Sequence, residues 1–71
     1  MEKIFSQKIS ENLKYEIERS GKTKTEIARA IGVTCPTVTQ YCTGRIQPSL
    51  ETLAKLCKFL DVSADEILGL K

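Results

Sequence analysis

Apolar residues recur at helical spacing along nearly the whole chain, and the polar residues between them carry helix start and stop signals. Phe5, Ile9, Leu13 and Ile17 stand every fourth residue and predict a first helix over about residues 6–19. Lys14 and Glu18 are spaced to pair weakly across its outer surface. Ser20-Gly21 is a stop signal. Residues 1–4 read as a loose start, or one that packs lightly through Ile4.

The most informative stretch is 23–44, TKTEIARAIGVTCPTVTQYCTG. Thr23 and Glu26 spell a capping box, and Ile27, Ala28 and Ile31 continue as an apolar stripe, predicting a helix over 24–31. Gly32 suits a left-handed backbone and ends it. Thr34 caps the next helix, 35–43, and Pro36 falls in its first turn, where a missing N–H costs nothing. Val38 and Tyr41 give that helix an inner side. Helices this short are unstable alone, so each must bury its apolar face on the rest of the chain. Ala28, Gly32 and Val38 together describe a tight pair: a small residue at a steep crossing, a sharp turn, and a wedge between the helices. Cys35, Pro36, Thr39 and Gln40 are left on the outer side, and all are small or polar. A helix of this kind has something to touch outside.

Gly44 ends the third helix and Pro48 fixes a short loop, which Ile46 is expected to order by packing inward. Ser49 caps a fourth helix over 50–60, with Leu50, Leu53, Ala54, Leu56, Cys57 and Leu60 along one side and Lys55 and Lys58 facing out. Asp61 and Val62 form a break. Ser63 with Glu66 spells a second capping box, opening a last helix over 64–68. The fold class is therefore all-α: a bundle of five short helices in one domain spanning 1–71.

Charge sharpens this picture. The net charge is only +2, yet residues 19–45 carry Arg19, Lys22, Lys24, Arg29 and Arg45 against Glu26 alone. Each flank carries three positive and four negative side chains. A basic excess confined to the two-helix unit and its borders reads as the footprint of an intracellular nucleic-acid binder, or else as a solvated surface with chance clustering. Arg45, beside the end of the third helix, is placed to reach a phosphate or is a plain surface arginine. The chain has no histidine, which excludes Ser-His-Asp and Cys-His chemistry, and it has no phosphate-cradling Gly-rich run. Asp65 and Glu66 read as first-turn acids favoured by the helix dipole. Cys35, Cys42 and Cys57 lack metal-ligand spacing, and Cys57 lies in an apolar stripe. No enzyme, metal or cofactor is expected. An odd number of cysteines and no apolar run of ~20 residues fit a reducing cytoplasm and no membrane.

The strings E-I-A-x-x-I-G-V-T (26–34), T-V-T-Q-Y (37–41), G-R-x-x-P-S-L-E-T-L-x-K-L (44–56) and L-D-V-S-x-D-E-I-L (60–68) run in unbroken register over about two-thirds of the chain. This sequence resembles the lambda repressor/Cro type of helix-turn-helix domain, found in phage repressors and bacterial regulators. The resemblance implies a lambda repressor-like bundle whose helix-turn-helix is formed by the second and third helices, the third entering the DNA major groove. By position it implies base contacts from Thr34, Cys35, Pro36, Thr39 and Gln40. It implies phosphate contacts from Lys24, Thr37, Tyr41, Arg45 and amides at the second and third helix starts. Gln40 can pair bidentately with adenine, and Thr39 can offer its hydroxyl or methyl to a base edge.

Three departures modify the expectation. Lys24 stands where the family often has glutamine. Ile17 and Cys42 stand where it often has an interacting arginine and glutamate, so packing is expected to replace a polar contact. Cys35 and Pro36 are poor donors, which shifts specificity toward methyl contacts and DNA shape. The expected function is sequence-specific double-stranded DNA binding by a small transcriptional regulator, a repressor by preference. It is expected to bind a near-palindromic operator as a homodimer, with contacts from the last helix, Phe59 and Leu70, since the chain has no room for a separate dimerisation domain. The competing class is a helical protein-interaction module, antitoxin-like or an accessory subunit, with weak or no specific DNA binding.

Overall fold

The computed structural model describes residues 2–70, with side chains from residue 7 onward. The described residues form five helices and no strand: α1 (Glu2–Ser20), α2 (Lys24–Ile31), α3 (Cys35–Thr43), α4 (Leu50–Leu60) and α5 (Ala64–Leu68). The fold class is the expected all-α bundle. α1 packs on α3, α5 and α4, while α2 lies against α3 and α4.

α1 is longer than the 6–19 read from its stripe. Residues 2–5 contain no glycine or proline to break a helix, and an acid at Glu2 suits the helix start. The loose start expected for 1–4 is thus corrected from Glu2 onward, while the side chains of Ile4 and Phe5 lie outside the described residues. Of the rest of that stripe, Leu13 and Ile17 are buried and Ile9 packs against the core. Lys14 and Glu18 do not pair. Instead Arg19 Nε lies 3.5 Å from Glu16 Oε1, an oxygen that is buried and has no hydrogen bond. That separation is ion-pair range without hydrogen-bond alignment, so the buried carboxylate is only partly compensated.

The core joins Leu13 and Ile17 of α1 to Ile27, Ala28 and Ile31 of α2, Val38, Tyr41 and Cys42 of α3, Leu53, Leu56 and Leu60 of α4, and Ile67 of α5. Ile17 and Cys42 are both buried in it, which is the apolar substitute expected for a polar pair. Desolvation pushes the Cys42 thiol pKa up. Gly44 closes α3 at φ 82°, and a Cβ built there would stand 3.1 Å from Ser10 Oγ. Glycine at this position therefore answers both the left-handed backbone and the approach of α1.

Two expectations for the fourth segment are corrected. Leu50 is 86% exposed and Ala54 is exposed, so the buried stripe of α4 is Leu53, Leu56 and Leu60, with Cys57 half-buried. Periodicity puts Leu50 on the stripe, but burial needs a neighbouring element, and among the described residues none covers Leu50. Ile46 is 42% exposed and does not order its loop by packing inward. The backbone does so: the Gln40 carbonyl accepts from Arg45 N–H at 3.0 Å and from Ile46 N–H at 3.5 Å.

Candidate nucleic-acid interface

α2 and α3 are built from local bonds. Thr23 Oγ1 accepts from Glu26 N–H at 3.1 Å, and Glu26 Oε1 accepts from Thr23 N–H at 2.8 Å. At the other end Gly32 adopts φ 79°, and its N–H and that of Val33 both reach the Ala28 carbonyl at 2.9 Å. Thr34 then turns to extended backbone at φ −92° and caps α3 by accepting from Thr37 N–H at 3.4 Å. Ala28 and fully buried Val38 fill the junction of the two helices. The turn is thereby held by three capping residues and one wedge, and the outer side of α3 is fixed relative to α2.

The candidate base-facing residues do not all meet solvent equally. Thr34, Pro36 and Thr39 are exposed, Gln40 is half-exposed, and Cys35 is half-buried against the core. Cys35 Sγ lies 3.4 Å from Thr25 Oγ1 on α2. Thr39 Oγ1 accepts from Lys24 Nζ at 3.3 Å. Cys35 and Thr39 are one helical turn apart, so the first turn of α2 runs beside the outer stripe of α3. Neither cross-helix contact was legible in the sequence, because residues fifteen and ten apart meet only through the crossing of the helices.

Among the candidate phosphate residues, Lys24 and Arg45 are exposed, Lys24 on α2 and Arg45 just beyond α3. The bond from Arg45 N–H to the Gln40 carbonyl ties Arg45 to the last turn of α3. Thr37 is half-buried, with its hydroxyl 2.9 Å from that of Thr34. Tyr41 is only 6% exposed, so it serves mainly as the inner side expected of α3. The start of α3 also offers few amides: Pro36 has no N–H and that of Thr37 is taken by Thr34.

The basic excess divides by partner. Arg19 is held near Glu16 and its guanidinium lies 6.0 Å from the Tyr15 ring centroid. The Lys22 ammonium lies 5.3 Å from the centroid of Phe59. Among the described residues no carboxylate lies within ion-pair range of Lys24, Arg29 or Arg45, so these charges remain available to an anion. Phe59 is half-buried and lines an open depression of about 360 Å³ with Ala30, Lys55 and Lys58. Leu70 is 71% exposed and follows Gly69, which stands against Lys8 and Asn12 of α1. The two residues named for dimer contacts thus have different described neighbours. Among the described residues no group of histidine, cysteine or acidic side chains could hold a metal ion, and no helix is long and apolar enough to cross a membrane.

Comparison with known proteins agrees with this architecture. A "Helix-turn-helix" family model matches residues 13–67, which takes in the second half of α1 and reaches into α5. The chain is 32% identical over 62 residues to the cryptic phage CTXphi transcriptional repressor RstR of Vibrio cholerae serotype O1 (strain ATCC 39315 / El Tor Inaba N16961). That alignment covers 87% of this chain and 55% of the relative, so the chain spans about half the length of the protein it matches. No solved structure matches. With its glycine turn, its capped second and third helices and a family match over most of its length, the chain belongs to the lambda repressor/Cro type of helix-turn-helix proteins.

Proposed function

We propose that this chain binds double-stranded DNA sequence-specifically, with α3 in the major groove, as a transcriptional regulator of the repressor kind acting in the cytoplasm. One observation carries the reading: the side of α3 left outside the core holds Pro36, Thr39 and Gln40, with two cations that no described carboxylate pairs beside it, Lys24 bonded to Thr39 and Arg45 just beyond the end of the helix. Small polar side chains flanked by unpaired positive charge suit a groove floor between two phosphate backbones. In this assignment Thr34, Cys35, Pro36, Thr39 and Gln40 face bases, with Gln40 suited to adenine. Lys24, Thr37, Tyr41 and Arg45 face phosphates. The relative's identity as a phage transcriptional repressor favours repression here.

A single domain of this size offers limited contact with DNA, so a second copy on the other half of a near-palindromic operator is part of the proposal, with α5, Phe59 and Leu70 at the dimer contact. Finding only monomer at tens of micromolar, free and on DNA, would sink the dimer.

The testing experiment is selection of bound sequences from random DNA at near-physiological salt, followed by titration of the winner against scrambled DNA. The expected result is an inverted repeat with half-sites about 34 Å apart, bound about a thousandfold tighter than scrambled DNA. Weak binding that vanishes as salt rises, with no enriched motif, leaves only the generic phosphate attraction. A helical protein-interaction module would then be the better reading, and the half-burial of Cys35 against the core and the missing donor at Pro36 favour it.

A further inference from the structure

We propose that Lys24 and Thr39 act as one unit that reads a guanine in the major groove, so that Lys24 determines specificity rather than only holding a phosphate. The proposal rests on the DNA-reading function above. Its basis is the way α2 is tied to the outer stripe of α3. Lys24 Nζ donates to Thr39 Oγ1 at 3.3 Å, and one helical turn away Thr25 Oγ1 lies 3.4 Å from Cys35 Sγ. Two contacts fix the first turn of α2 alongside the stripe that faces bases. The ammonium therefore stands on the reading surface itself. Lys24 and Thr39 are both exposed, and among the described residues no carboxylate pairs with Lys24.

Donor and acceptor accounting then selects the base. A threonine hydroxyl alone has one donor and two acceptor sites, so it can serve any base. A lysine ammonium has three donors and no acceptor. Once Lys24 donates to Thr39, the hydroxyl proton has nothing to bond on the lysine side and turns outward. One threonine lone pair is occupied, and the ammonium beside it repels a second donor hydrogen. The unit is consequently weighted toward donors: the Thr39 O–H and the remaining Lys24 N–H groups outnumber the one threonine lone pair left beside the cation. In the major groove guanine offers two adjacent acceptors, N7 and O6. Adenine sets an amino donor beside its N7, thymine has one acceptor beside a methyl, and cytosine has a donor. Guanine alone satisfies the pair on both sides.

The test uses the full chain as wild type, Lys24→Met, Thr39→Val, the double variant and Thr39→Ser. Circular dichroism checks that each is folded, which exposed positions favour. Each protein selects sites from random DNA, and each is titrated against the wild-type site and against that site with the guanine replaced. The wild type is expected to prefer guanine at one position of each half-site. Lys24→Met and Thr39→Val are both expected to erase that preference at the same position, a loss of roughly fivefold to a hundredfold in discrimination. The double variant should lose no more than either single change, and Thr39→Ser should retain the preference. If Lys24→Met weakens binding to all sequences alike while the guanine is still selected, lysine is a phosphate contact and the proposal is overturned. It is equally overturned if the position relaxed by Thr39→Val holds no guanine in the wild-type site. A wild-type protein that enriches no motif overturns the DNA-reading function itself, which is a different result from either of these.

Discussion

Glu26 lies in solvent, yet two bonds to Thr23 define its chemistry. The Thr23 backbone N–H and then its side chain favour the charged carboxylate, with a further contribution from Lys22, and they hold its pKa below the ordinary 4.5. A carboxyl whose folded pKa is depressed adds stability that is fully present above its unfolded pKa. That stability is lost as pH falls through the folded value. The chain is therefore expected to lose stability from this group as pH drops below about 4.5, the unfolded reference. Urea midpoints between pH 6 and pH 3 should show a shallower acid decline for Glu26→Gln than for the wild type; equal slopes would refute the assignment. This cap was readable in the sequence because both partners lie within one helical turn. Ser63 and Glu66 carry the same spelling, but there only the forward bond forms, Glu66 N–H to Ser63 Oγ at 3.2 Å. Spelling identifies the residues able to cap, and the local rotamers decide how many bonds are made.

Among elements, α4 separates what a periodic stripe implies from what packing delivers. Leu50 and Leu56 are the same residue on the same helix, yet one is 86% exposed and the other fully buried. Truncating Leu56 removes transfer free energy and leaves a cavity, so Leu56→Ala is expected to cost about 2–5 kcal/mol. Leu50→Ala should stay within about 0.5 kcal/mol of the wild type. Chemical denaturation of both variants checks this, and a comparable loss at Leu50 would mean that something covers the first turn of α4 in solution. The loop before α4 makes the same point. Ile46 is apolar but half outside, and the loop is anchored by the Gln40 carbonyl, which no hydrophobic pattern reveals.

Across the whole molecule, the basic excess seen in the sequence is thinned by contacts within α1 and between distant segments. Arg19 lies beside Glu16 and Lys22 over Phe59, which leaves Lys24, Arg29 and Arg45 as the least compensated charges. Arg45 is tethered at the end of α3 by its bond to the Gln40 carbonyl, and the proposed assignment gives it a phosphate rather than a base. Arg45→Gln is therefore expected to weaken binding to all sequences about equally. The slope of log affinity against log salt should become shallower by about 0.9 for each bound copy, or about 1.8 for the proposed dimer. A change in the selected sequence instead, with the slope intact, would move Arg45 from the phosphate set to the base-reading set.

By itself the sequence determined the five-helix all-α class, the caps and the glycine turn, because those depend on residues within a few positions of one another and on helical spacing. The family strings reinforced the same order of elements. Only the tertiary structure decided which members of each stripe were covered, as with Leu50 and Ile46, and which cations kept a free charge. It also decided that Lys24 meets Thr39 and Thr25 meets Cys35. Those outcomes depend on where one helix crosses another, and a one-dimensional pattern records which side of a helix is apolar but not what lies against it.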